Sequence, residues 1–314
     1  MTRPPALWHQ PAFARLWAAQ AISSFGARIT REGLPILAVT TLAAPASGLG
    51  VLSALSGAAA VLTGLAAGRF VDSRARRPIL VGADLFRTLV LLTVPLAAGL
   101  HGLGLAQVMI VAALVGAAGV LFDMAGHAYL PSLIGVERLM DGNARLAATD
   151  AVAEMGGPAL AGLLFQWLSA PFALTLNAVT YFASGLILFS IRQGEPLPDI
   201  PPPQPWMVEI SEGLRLAWGE PRVRALLLMG LVQGLFGGVF SALYVLFALR
   251  TLNLPTGLLG LAVAMGGVGA LISAWLGPWL ARKIGVGPAI IATLTGASLS
   301  ALMIAAAPTD RAGP

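Results

Sequence analysis

The chain contains no cysteine, which excludes a disulfide framework, thiol catalysis and a cysteine metal site. Charge is scarce as well. Only 11% of the residues are charged, against about a quarter in soluble domains. No short apolar core with a small-residue cleavage site follows the N-terminus. Pro4, Trp8, His9 and Pro11 stand before the first apolar run, so the first helix is expected to act as its own insertion signal. No Walker sequence occurs, which argues against ATP-driven transport within this polypeptide. His9, His101 and His127 are scattered between a loop and helix ends, so neither a metal site nor a cofactor is expected. Gly266-Gly267-Val268-Gly269 lacks a following lysine and a preceding strand, and reads as helix packing. Nothing here points to an enzyme.

What the chain has in quantity is apolar. It is 57% hydrophobic, with a mean hydropathy of +0.83. The net charge of +5 and pI near 10.6 could suit nucleic acid. The cations sit in short links, however, rather than on one face or in a tail, so membrane topology explains them and no nucleic-acid partner is expected.

The most informative segment runs from Gly68 to Pro78, with four arginines and an aspartate between two long charge-free runs, 33–68 and 88–122. A tight cationic turn between membrane-length segments reads as a cytoplasmic loop. A helix crossing about 30 Å of hydrocarbon needs roughly 20 residues. Turns marked by Gly, Pro and small polar clusters then divide the chain into helices at roughly 14–43, 48–70, 78–98, 104–127, 147–168, 171–191, 222–249, 256–281 and 286–308. Alternate links carry nearly all the cations, among them Arg15, Arg87, Arg138, Arg145, Arg192 and Arg282. This alternation places the N-terminus and the even-to-odd links in the cytoplasm.

Between 192 and 221 the character changes. Six prolines from Pro196 to Pro205 make an extended linker. Trp206, Met207, Ile210, Leu214 and Trp218 then recur at helical spacing opposite Glu209, Glu212 and Arg215, as in an amphipathic helix at the interface or one that binds a partner. A faint repeat crosses this linker: Gly48-Leu49 followed by Gly68-Arg69 matches Gly257-Leu258 followed by Gly277-Pro278. The division expected is a six-helix bundle over 1–191, the linker over 192–221, and a partial bundle over 222–314.

The spacing G-x-x-x-D-x-R-x-R-R over 68–77 resembles the loop between helices 2 and 3 of major facilitator superfamily transporters. The motifs Phe13-Ala14-Arg15-Leu16-Trp17, Tyr129-Leu130-Pro131-Ser132, Asn143-Ala144-Arg145 and Glu212-Gly213-Leu214-Arg215 narrow the resemblance. They resemble the branch that includes the enterobactin exporter and related drug-efflux proteins. The resemblance covers essentially the whole chain and implies an all-α major facilitator fold, a six-helix N-terminal half plus an incomplete three-helix C-terminal half. A second half of that fold would supply six helices, so a fragment is expected. It also implies a gating cluster of Asp72, Arg76 and Arg77, with Gly68 permitting close backbone packing. The chain departs from the pattern at Ser73 and Ala75, and the helix that would complete the cluster falls outside it. Topology anchoring alone is the plainer reading of these residues.

Gly157-Pro158-Ala159-Leu160-Ala161-Gly162 resembles the antiporter motif of proton-coupled exporters. Small residues allow close helix approach and Pro158 bends the helix, which suits a pivot. Ordinary helix packing is the alternative, since Gly230, Gly234 and Gly238 also read as a packing face.

Charges inside the membrane cost about 2.5–3.5 kcal/mol each and normally face a cavity or a partner. Arg28, Arg31 and Glu32 lie well inside helix 1. Arg28 and Glu32, one turn apart, can neutralise each other; alternatively Glu32 titrates while Arg28 or Arg31 attracts an anionic group. Asp150 and Glu154 share a face of helix 5, with Glu154 a turn deeper, and Asp123 sits towards the cytoplasmic end of helix 4. Glu32 and Glu154 lead as proton-coupling groups, with Asp123 behind them. Helix 4 lacks the arginine that many proton-coupled relatives place there. Asp84 and Arg87 read as an anchor for the start of helix 3. Phe25, Phe165, Gln166, Asn177, Gln233, Phe236 and Tyr244 are the lining residues to test.

The combined reading is a secondary transporter of a bacterial inner membrane, monomeric if complete. Proton uptake would drive export of a small amphipathic, drug-like or siderophore-like compound by alternating access. The rival is a truncated, non-transporting membrane protein or interaction module that kept the fold.

Overall fold

In a bilayer every backbone N–H and C=O must find its partner within the protein, and an unbroken helix achieves this alone. A computed structural model describes residues 7–192, 195, 211, 215 and 217–305. Nine long helices account for almost all of the described residues: α1 (Pro11–Thr40), α2 (Ala46–Asp72), α3 (Arg76–Gly99), α4 (Leu105–Ile134), α5 (Leu139–Trp167), α6 (Ala170–Phe189), α7 (Pro221–Leu246), α8 (Thr256–Ile284) and α9 (Val286–Ala305). Each corresponds to an expected span. The largest boundary error is at α5, which starts at Leu139 because the polar stretch around Asn143 and Arg145 is helical rather than loop. The linker and most of the amphipathic helix expected over 206–218 lie outside the described residues.

Local chemistry sets the ends. Pro11 opens α1 at a position where its missing N–H costs nothing. Gly135, at φ +77°, turns the chain between α4 and α5 in a backbone region that favours glycine. Five helices among the described residues are long and apolar enough to cross a membrane: α2, α3, α4, α6, and α7 with its π-helical continuation Phe247–Thr251. Helices α1 and α5 are equally long but carry charges in their middle turns.

Those charges fall in a definite layer. One apolar cluster joins Leu34–Val39 of α1 to Leu49, Leu91, Val111, Phe165 and Leu174. A second, at the other end of the bundle, joins Phe13, Leu16 and Ala19 of α1 to Leu80, Phe122, Tyr129, Leu146 and Leu188. Between them lie the buried polar side chains Ser23, Thr30, Glu32, Asp84, Arg87, Thr88, Asn177 and Ser184. Because the helices run up and down, α3 keeps this order relative to α1 while α4 and α6 reverse it, so one polar belt crosses the bundle at mid-height.

Helix α1 packs on α5 and α6, α3 on α4 and α6, and α2 on α4. The later helices join through α2 with α7 and α5 with α8. The α5–α8 crossing is tight: a Cβ built on Gly162 would fall 2.5 Å from the carbonyl oxygen of Thr256 and 2.8 Å from Cα of Gly260. Small residues allow this approach, which in lipid replaces the hydrophobic drive that water would supply. The expected packing face at Gly230, Gly234 and Gly238 is different. A Cβ at any of the three meets nothing within 4 Å, so these glycines are not in a helix contact here.

Candidate functional site

Two charged clusters lie in the polar belt. The first joins α1, α5 and α7. Glu154 forms an ion pair with Arg28 and accepts a hydrogen bond from Arg31 at 2.9 Å. Arg31 also donates to Glu32 at 3.2 Å, and the Tyr244 hydroxyl donates to the second Glu32 oxygen. Two guanidinium groups therefore face two carboxylates, and the cluster is neutral overall. The expected self-pairing of Arg28 with Glu32 is corrected. Arg28 turns to α5 because Gly157, which has no Cβ, admits the Arg28 side chain against the helix. One turn away Ser24 donates to Asp150 at 2.7 Å, a further α1–α5 bond.

Backbone chemistry reinforces this cluster. Pro35 and Pro158 each lack the N–H that would bond to the carbonyl four residues earlier. Those carbonyls belong to Arg31 and Glu154, so both helices lose one internal bond where their charged residues meet.

The second cluster was not expected. Asp84 and Arg87 are fully buried, at 0% and 2% exposure, and do not merely anchor the start of α3. Arg87 stands eleven residues beyond Arg76, about 16 Å along the helix. Its guanidinium meets Asp84 at 3.1 Å, Ser23 of α1 at 2.9 Å and the Ala118 carbonyl of α4 at 3.0 Å. The Phe122 and Tyr181 rings cover it at 4.7 and 5.2 Å. Helix α4 itself lacks an arginine, and α3 delivers one against it. Tyr181 shares a hydrogen bond with Thr30 at 3.2 Å, and Asn177 donates to Thr30 at 2.6 Å, which ties α6 to α1.

A cavity of about 360 Å³ opens between the two clusters. Arg31, Arg87, Thr30, Ser53, Ser56 and Tyr181 supply its polar groups, while Leu34, Leu52, Ala112 and Val115 supply apolar wall. It can hold an apolar body while offering guanidinium and hydroxyl donors to one end.

None of the expected lining residues forms this wall. Phe25 lies against Gly156, and Phe165 is buried against Gly33. Asn177 is consumed by its bonds to Gly26 and Thr30. Gln166 abuts Gly257, Tyr244 binds Glu32, and Gln233 and Phe236 are exposed on α7. Asp123 has an exposed side chain on α4 and belongs to neither hydrogen-bonded cluster.

The basic loop is built differently from expectation. A Cβ on Gly68 would meet only Met124 Cε, at 4.0 Å, so no close packing requires glycine there. Arg76 pairs with Glu195 at 3.0 Å, and the Glu195 carboxylate also takes the Arg76 main-chain N–H at 2.6 Å, at the positive end of α3. Arg76 reaches the main-chain oxygen of Asp72 at 3.3 Å. Arg77 donates to the carbonyls of Leu188 and Phe189 at the end of α6. Glu195 had no role in the sequence reading, since nothing in a proline-rich linker marks one carboxylate as a helix partner.

Comparisons with known proteins agree with this architecture. The Major Facilitator Superfamily model matches residues 16–313. The multidrug efflux pump Tap of Mycolicibacterium fortuitum is 30% identical over 240 residues, covering 72% of this chain and 58% of that protein. Ferreportin of Bdellovibrio bacteriovorus is 27% identical over 170 residues, 51% of this chain and 39% of its own length. The chain thus spans less than two thirds of either relative. Among solved structures, an inward-facing, unoccupied bacterial homologue of the human lysosomal transporter Spinster superposes with a TM-score of 0.68 at 15% identity, covering 87% of this chain and 63% of that one. An inward-facing bacterial homologue of the iron transporter ferroportin gives 0.58 at 21% identity, covering 88% of this chain and 70% of that one.

Proposed function

The chain belongs to the major facilitator superfamily, a family of membrane transporters for small molecules, and on that premise we propose that it is a proton-coupled exporter working by alternating access. The observation that carries this reading is the cluster of Arg28, Arg31, Glu32, Glu154 and Tyr244, which joins α1 and α5 of the first half to α7 of the second. A proton on Glu154 removes the charge that holds both Arg28 and Arg31. Loss of that charge frees α1 from α5 where each is already weakened, α1 at the Pro35 turn and α5 at the Pro158 turn. A proton on Glu32 acts across the halves by changing its bond to Tyr244. Coupling then needs only that the two access states differ in affinity for proton and substrate. Asp123 stays a lesser candidate, since it belongs to neither cluster.

The cavity beside Arg31 and Arg87 is the proposed substrate site, and its mixed lining suits a small amphipathic compound. A drug-like substrate is favoured by the similarity to a multidrug efflux pump, and a siderophore-like one by the motif resemblance. In this reading Asp72, Arg76 and Arg77 hold the cytoplasmic side closed in the outward-open state, and the protein is a monomer of a bacterial inner membrane with its N-terminus in the cytoplasm. The first half is 1–191, followed by the 192–221 linker and the helices of the second half.

Cells expressing the protein should accumulate less of an amphipathic test compound, and a protonophore should abolish the difference. Glu154→Gln should lower proton-driven efflux about tenfold or more, equivalent to roughly 1.4 kcal/mol in the barrier, with normal membrane insertion. Unchanged accumulation across a broad compound panel counts against export. Wild-type efflux in the variant removes Glu154 from the mechanism.

A further inference from the structure

Helices α2 and α3 both lie along α4, and between them a groove of about 700 Å³ opens on the outer face of the bundle. Its floor is Ala117 and Ala118 of α4, and Gly82 and Ala83 of α3 leave its wall shallow. Phe70 and Phe86 form its rims, 39% and 43% exposed. Along α3 it extends from Ala75 to Phe86, eleven residues or about 16 Å. That equals the depth of one leaflet, half of a hydrocarbon core about 30 Å thick.

The charge at its mouth is specific. Arg76 and Arg77 are committed to Glu195 and to the end of α6. Arg74 lines the groove and lies over the Phe70 ring at 4.3 Å, with no ion pair or hydrogen bond among the described residues. An apolar trough one leaflet deep, with a guanidinium at its polar end, has the shape and charge of a phospholipid's complement.

We propose that the α2–α3 groove is a binding site for an anionic phospholipid, with an acyl chain over Gly82 and Ala117 and the headgroup phosphate on Arg74. The assignment to the cytoplasmic leaflet rests on the orientation proposed above. Lipid retention depends on neither that orientation nor transport, so the site can be tested even if export fails.

Detergent-purified, delipidated protein would be incubated with equal amounts of phosphatidylglycerol and phosphatidylcholine of the same chain length, and retained lipid counted by native mass spectrometry. Phosphatidylglycerol should exceed phosphatidylcholine about fivefold, as expected for one arginine near a phosphate-bearing surface. Arg74→Ala should bring the two lipids to equal retention. A Cβ at Gly82 meets nothing within 4 Å, so Gly82→Leu fills the groove without straining the backbone and should reduce both lipids. Equal retention by the unaltered protein overturns the proposal. So does a preference that survives Arg74→Ala, or full retention of both lipids by Gly82→Leu.

Discussion

Asp84 and Arg87 set the energetics of the polar belt. A buried ion pair gains little net stability, yet removing one partner leaves an uncompensated charge and costs about 3–5 kcal/mol. Asp84→Asn should therefore lower the thermal midpoint of the purified protein substantially. The double variant Asp84→Leu with Arg87→Met should recover most of the loss, because neither charge then remains to be desolvated. An unchanged midpoint in Asp84→Asn would mean that Arg87 finds compensation elsewhere, for example at Ala118 and the aromatic rings. The pair was open to view in the sequence: two charges three residues apart, with Arg87 three turns past the start of α3. What hid it was the helix start, because a boundary placed at Pro78 with cations around it made Arg87 look like one more anchor.

At the scale of elements, the glycines divide by what stands opposite them. Gly162 faces main chain of α8, and backbone cannot yield as a side chain does. Gly162→Leu should cost about 1–3 kcal/mol through overpacking, read as a lower thermal midpoint in detergent. Gly68 faces only the flexible tip of Met124. Gly68→Ala should be neutral or stabilising by about 0.5–1 kcal/mol, since alanine lowers the entropy of the unfolded helix. The reverse order of effects would mean that the loop glycine, not the α5 glycine, holds the packing. Both residues were singled out by motif resemblance, which gives a position but not the neighbour opposite. The glycines of α7 show the same limit: their spacing is that of a packing face, and no described residue packs on it.

For the whole molecule, the arginine alternation makes a topology prediction that the lack of cysteine renders simple to test. In intact cells a membrane-impermeant maleimide should leave Arg74→Cys unlabelled and label Ala46→Cys, exposed at the first residue of α2. Labelling of Arg74→Cys from outside would invert the orientation and the leaflet assigned to the lipid groove. The membrane class and the helix positions were legible because bilayer thickness and backbone satisfaction act on each segment separately.

Composition, the length of the apolar runs and the spacing of the basic links are local properties, and they determined that this is a multi-helix membrane protein; the motifs of 68–77 and 157–162, local as well, carried its resemblance to the major facilitator family. Partnership across helices is not local. Whether Arg28 turns to Glu32 on its own helix or to Glu154 on α5 depends on Gly157 opening the space between them, and Glu195 finds α3 only once α6 has returned the chain to the same end of the bundle. Those choices were left to the tertiary structure, because a charge in a low-dielectric interior settles on whichever counter-charge packing brings within reach.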